Sequence, residues 1–111
     1  MGIMLLQQSE QRIIRCVVTE LLDQGFTLSV LDEEGDFSVQ NTRNYASVLN
    51  EIGLCDCETI LVSHPDNKRV GTIELVYGND GYDVISDLSC WVDEIIPKTN
   101  ALIDQLERQA H

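Results

Sequence analysis

The sequence predicts an α+β fold, an antiparallel sheet of about five strands with helices on one face in the order α-β-β-α-β-β-β-α, and three observations carry that prediction. Apolar residues recur at helical spacing near both ends of the chain and once in the middle. Between these stretches lie runs in which apolar and polar side chains alternate with a period of two. Those runs cluster, two before the middle helix and three after it, which favours antiparallel pairing over a parallel crossover fold. A length of 111 residues leaves room for one hydrophobic core, so residues 1–111 are expected to form a single domain.

From Glu10 to Gln24, the residues Ile13, Ile14, Val17, Val18, Leu21 and Leu22 make one stripe of a helix, with Arg12, Arg15, Thr19 and Asp23 opposite. Ser9 is placed to cap its start and Gly25 to close it. Phe26 to Leu31 then alternates. After the acidic turn Asp32 to Asp36, in which Gly35 lets the chain reverse, Phe37 to Gln40 resumes the alternation and completes a hairpin. Asn41 or Thr42 is the expected cap of a short second helix with Tyr45, Val48, Leu49 and Ile52 inward, ending at Gly53. Three strands follow, at Glu58 to Ser63, Val70 to Tyr77 and Tyr82 to Leu88. They are joined by His64-Pro65-Asp66-Asn67 and by Gly78-Asn79-Asp80-Gly81, residue types that suit tight turns. The last helix is expected from Ser89, along the stripe Trp91, Val92, Ile95, Ile96, Leu102, Ile103 and Leu106. Pro97 lacks the amide that a helix interior needs, so the helix must kink there or restart with Pro97 in its first turn.

Charge is the outstanding compositional feature: 19 acidic residues stand against 7 basic ones, for a formal net charge of −12. A nucleic-acid duplex or an anionic membrane would repel such a chain unless its basic residues gathered on one face. They are scattered, with Lys68 and Arg69 an isolated pair in a turn, so direct nucleic-acid binding is not expected. No apolar run reaches the roughly 18 residues of a spanning helix. Met1 to Leu6 is too short for an export signal and lacks a basic flank. The expected location is therefore cytoplasmic, with Cys16, Cys55, Cys57 and Cys90 as reduced thiols.

The stretch Glu74-Leu75-Val76-Tyr77-Gly78-Asn79-Asp80-Gly81-Tyr82-Asp83-Val84-Ile85-Ser86-Asp87 resembles the hairpin signature of a family of small acidic proteins from bacteria, their plasmids and phages. The likeness extends more loosely to the first amphipathic helix and the Gly25-Phe26-Thr27-Leu28-Ser29-Val30 run. It implies a bacterial or mobile-element origin and brings no activity with it. The chain departs from the pattern at Leu88 to Trp91, where a Tyr-Thr continuation is expected.

Two acidic turns supply the candidate binding residues. The first holds Asp32, Glu33, Glu34 and Asp36; the second, on the Tyr77 to Asp87 hairpin, holds Asn79, Asp80, Tyr82, Asp83 and Asp87. Loops on rigid strands often carry recognition, although glycines and asparagine at these positions are also what a plain solvent-facing turn requires. Neither turn has the ligand spacing of a calcium hand loop. Cys55-x-Cys57, even with His64 and Cys90, lacks the paired knuckles of a zinc site, so no metal and no cofactor are expected. Catalysis by paired carboxyls needs burial to separate their proton affinities, and no acid interrupts an apolar face in a way that predicts burial. Serine-nucleophile, phosphate-loop and dinucleotide motifs are absent.

The sequence thus points to a non-enzymatic protein-interaction module that acts through an acidic surface. Its partner would be a protein with a basic face, and a homodimer through an exposed sheet edge is a further expectation. The alternatives are a DNA-mimicking inhibitor of a basic factor, an acidic chaperone of the secretion type and a small enzyme. Solubility alone also accounts for acidity of this kind.

Overall fold

The amphipathic stripe of the first segment folds as helix α1, Gln8–Asp23, preceded by a 3-10 turn at Gly2–Leu5. Residues 2–64 and 70–110 are described by this computed structural model; the turn expected at Pro65-Asp66-Asn67 and the pair Lys68–Arg69 lie outside the described residues. The helix starts earlier than Ser9 because Glu10 Oε1 accepts the Gln7 N–H at 3.0 Å, which makes Gln7 the cap residue. It closes as expected. Gly25 sits at φ +93°, and the amides of Gly25 and Phe26 reach back to Leu22 O and Leu21 O.

Among the described residues, five strands follow: β1 Thr27–Leu31, β2 Phe37–Thr42, β3 Cys57–Ser63, β4 Val70–Val76 and β5 Ile85–Leu88. They form one antiparallel sheet in the order β2-β1-β3-β4-β5. β2 runs two residues beyond its expected end. Asn41 is a left-handed residue at φ 48° in an irregular stretch of the β1–β2 ladder, where Ser29 Oγ accepts its N–H at 2.8 Å, so it does not cap a helix. That role falls to Asn44, whose Oδ1 accepts the Ser47 N–H at 2.9 Å and starts helix α2, Tyr45–Asn50. Val48, Leu49 and Ile52 are buried as expected, while Tyr45 is exposed. β5 begins at Ile85 and not at Tyr82. The Val84 N–H turns back to Gly81 O, and Gly78 and Gly81 both hold positive φ, so Tyr77 to Val84 is an eight-residue loop between the strands.

Pro97 restarts the last helix. Helix α3 is Cys90–Glu94, and α4, Pro97–Gln109, carries the proline in its first turn. Helices α1 to α4 lie on one side of the sheet. α3 seats on Gly71 of β4, where an added Cβ would stand 2.5 Å from Val92 Cγ2 and 2.7 Å from Trp91 Cζ2. Between the layers, Ile13, Ile14, Val17, Val18 and Leu21 of α1 meet Leu28, Val30, Ile60, Val62, Ile73 and Leu75 of the sheet, all fully buried. Each such side chain stabilises the fold by about 1.5–3 kcal/mol over leaving it exposed.

The opposite face of the sheet has no helix on it among the described residues. β3 shows the division, since Glu58, Ile60 and Val62 are buried toward the helices while Cys57, Thr59, Leu61 and Ser63 are only half-buried. Among the described residues, no helix is long and apolar enough to cross a membrane.

Candidate functional site

Two groups of acids stand out in this chain. Three glutamates are buried, contrary to the sequence expectation, with Glu10 at 1 %, Glu20 at 8 % and Glu58 at 3 % exposure. Each is where it is because backbone amides need an acceptor there. Glu10 takes the Gln7 N–H and, through Oε2, the Gly78 N–H at 2.9 Å, which fastens the β4–β5 loop to the start of α1. Glu20 caps α4 from another helix: its Oε2 accepts the Lys98 N–H at 2.9 Å, and its Oε1 accepts the Thr99 N–H at 2.9 Å and the Thr99 hydroxyl at 2.8 Å. Periodicity contained the signal, since Glu10 precedes Ile13 and Ile14 by three and four positions and Glu20 follows Val17 by three.

Glu58 is placed differently. Its Oε1 accepts the Gly53 N–H at 2.6 Å and the Tyr77 hydroxyl at 2.5 Å, while its buried Oε2 has no hydrogen-bond partner within 3.5 Å among the described residues. Burial pushes the carboxyl above the usual carboxylate range, against the pull of the Tyr77 and Gly53 hydrogen bonds. The Tyr77 phenol is pushed up by its own burial and by Glu58.

The second group lies on the uncovered face. One row of side chains crosses all five strands, because Leu31 pairs with Phe37 and Thr59, Thr59 with Glu74, and Glu74 with Asp87. Apolar side chains occupy its β2–β1 end and acids its β4–β5 end. Beside the row is a groove of about 330 Å³, floored by Leu31, Thr59 and Val76 and rimmed by Asp32, Glu33 and Glu74. Cys57 also lines it. Burial, then Glu33 and Asp56, pushes that thiol up, the direction opposite to the one that activates a cysteine.

The structure therefore divides the sequence candidates. Asp32 and Glu33 join the groove, and Asp87 faces Glu74 across the β4–β5 ladder. Asp32 is partly engaged already, since its Oδ1 accepts the Glu34 and Asp36 amides at 2.9 and 3.0 Å and shapes the turn. Glu34 and Asp36 are exposed in that turn and outside the groove lining. Asn79, Asp80, Tyr82 and Asp83 belong to the loop folded against the start of α1, where Asn79 O accepts Gln7 Nε2 at 2.9 Å and Gly81 lies on Ser9. Within it the Tyr82 hydroxyl donates to Asp80 Oδ2 at 3.4 Å; burial, then Asp80 and Glu107, push that phenol up.

Glu74 is the residue that the sequence reading missed. It alternates with Ile73 and Leu75 as any solvent-facing strand residue does, and its significance appears only once pairing puts Asp87 opposite it. Among the described residues, no three His, Cys, Asp or Glu side chains converge as a metal site. No protein-family model, curated protein or solved structure matches this chain.

Proposed function

We propose that this chain is a non-enzymatic protein-interaction module that binds a basic partner through the acidic half of its uncovered sheet face. The carrying observation is the direct opposition of Glu74 and Asp87, beside Asp32 and Glu33 at the groove rim. Like charges facing each other across a ladder cost roughly 0.2–1 kcal/mol, and a fold that retains such a conflict at the surface commonly does so where it functions. On the helix side, Glu10 and Glu20 have both carboxylate oxygens engaged with protein amides, and the groove that Asp23 and Glu94 line there also holds the cation Lys98. A net charge of −12 adds long-range attraction for a positive partner and repulsion from nucleic acid. The reading goes with a cytoplasmic protein of bacterial or mobile-element origin.

The test is capture of partners from bacterial lysate on the wild-type protein and on the double reversal Glu33→Lys with Glu74→Lys, which leaves the turn-shaping Asp32 in place. Partners released by moderate salt and lost on the reversed protein support the reading. Partners retained by both proteins and indifferent to salt refute it.

A further inference from the structure

The uncovered face also indicates what shape of partner fits it. Resting on the acidic-face reading above, we infer that the row from Glu74 to Phe37, together with the groove beside it, takes an extended segment of another protein, laid across the strands, with a cationic residue four positions from a large apolar one.

Three features lead there. First, the row changes character along its length. Glu74 and Asp87 stand at one end, while Leu31 and the half-exposed Phe37 stand at the other, so one occupant must satisfy charge and apolar surface together. Second, the groove of about 330 Å³ receives side chains and a single extended backbone, whereas a helix is about 10–12 Å across and would ride over the Asp32–Gly35 rim. Third, the spacing is fixed by the sheet. Glu74 and Phe37 are three strands apart, about 14 Å at ~4.8 Å per strand, and side chains on one face of an extended chain recur about every 6.7 Å, so residues i and i+4 span the row. A cation reaching Glu74 would lay its aliphatic stem along Val76, a use of long basic side chains that hides apolar surface while the charge stays paired.

Two other occupants fit less well. A second copy of this chain would bring acid against acid at −12 per protomer. Strand addition at β5 is blunted, because Asp87 Oδ1 already accepts the Leu88 N–H at 2.9 Å.

The experiment uses two labelled peptides of identical composition, one with the core Arg-Thr-Thr-Thr-Leu and one with Arg-Thr-Thr-Leu-Thr, titrated against the full chain by NMR. The i+4 peptide is expected to bind roughly tenfold tighter, the value of seating one apolar anchor, with shifts at Thr59, Glu74 and Phe37. Glu74→Gln and Phe37→Ser, both at exposed positions, should each remove most of that advantage. Equal, salt-sensitive binding of both peptides that Glu74→Gln weakens would overturn the spacing inference and leave the acidic-face function standing. Absence of binding by either peptide, while lysate partners remain sensitive to the Glu33 and Glu74 reversal, overturns only the extended-segment inference. If those partners also ignore the reversal, both fail. Concentration-dependent shifts on the same row without peptide, with a dimer in light scattering, would assign the face to a second copy and overturn it too.

Discussion

Replacing Glu58 by Gln should remove one specific component of the pH dependence of stability. The side chain is 3 % exposed and one of its oxygens is buried without a hydrogen-bond partner among the described residues, so its charged form is disfavoured in the fold relative to the unfolded chain. In the unfolded state the carboxyl ionises near pH ~4.3. In the folded state burial raises that midpoint. Between the two midpoints the folded protein holds a proton that the unfolded chain has released, so stability falls as pH rises, by up to about 1.4 kcal/mol per pH unit. The contribution is fully present below the unfolded midpoint and lost once pH passes the folded one. The amide of the Glu58→Gln variant keeps an oxygen for Gly53 and Tyr77 and cannot ionise. Urea unfolding of both proteins from about pH 4 to about pH 8 measures this directly, and subtracting one profile from the other cancels the remaining acids. Wild type should lose stability relative to the variant as pH rises through that window and then hold a constant difference. Parallel profiles would refute the reasoning, as would a wild type that gains on the variant with pH.

Other perturbations have opposite expected signs. Glu20→Ala strands two amides and a hydroxyl at the start of α4 and should cost about 3 kcal/mol, lowering Tm by roughly 10 °C in a calorimetric scan, while Glu20→Gln, which keeps an acceptor, should cost about 1 kcal/mol. Gly71→Ala forces a methyl into Val92 and Trp91 and should destabilise by about 1–3 kcal/mol in urea unfolding, with a change in Trp91 fluorescence because α3 must lift. Glu74→Lys should instead stabilise the isolated protein by about 0.2–1 kcal/mol, by turning a like-charge pair with Asp87 into an opposite one, while weakening partner capture.

Much of the architecture was legible because period and turn chemistry agree with it. The α1 stripe, the closure at Gly25, the split of the last helix at Pro97 and the clustering of strands all follow from local rules. Boundaries failed where a side chain serves the backbone in a way that residue type does not specify. Asn41 has the chemistry of a helix cap and sits in a strand irregularity, because Ser29 takes its amide; Asn44 does the capping. Ser89 holds the cap position of α3, yet its Oγ accepts the Thr72 N–H at 3.0 Å and so ties α3 to the sheet. Tyr82 to Val84 alternates like a strand, but Gly81 packs against Ser9 and turns the chain toward the helices.

The candidate site was half legible for a similar reason. A carboxylate's role depends on which amides lack partners nearby, and those come from segments distant in sequence: Gly78 for Glu10, Lys98 and Thr99 for Glu20, Gly53 for Glu58. Those three acids are committed to holding the fold, and reversing any of them would be read as loss of folding before loss of binding. Glu74 is the opposite case, an exposed acid whose removal relieves a conflict across the ladder. A variant that becomes more stable while losing its partner separates binding from folding more cleanly than any loss of both. That makes Glu74, rather than the acids of the Asn79 to Asp83 loop, the position at which function and stability are expected to move in opposite directions.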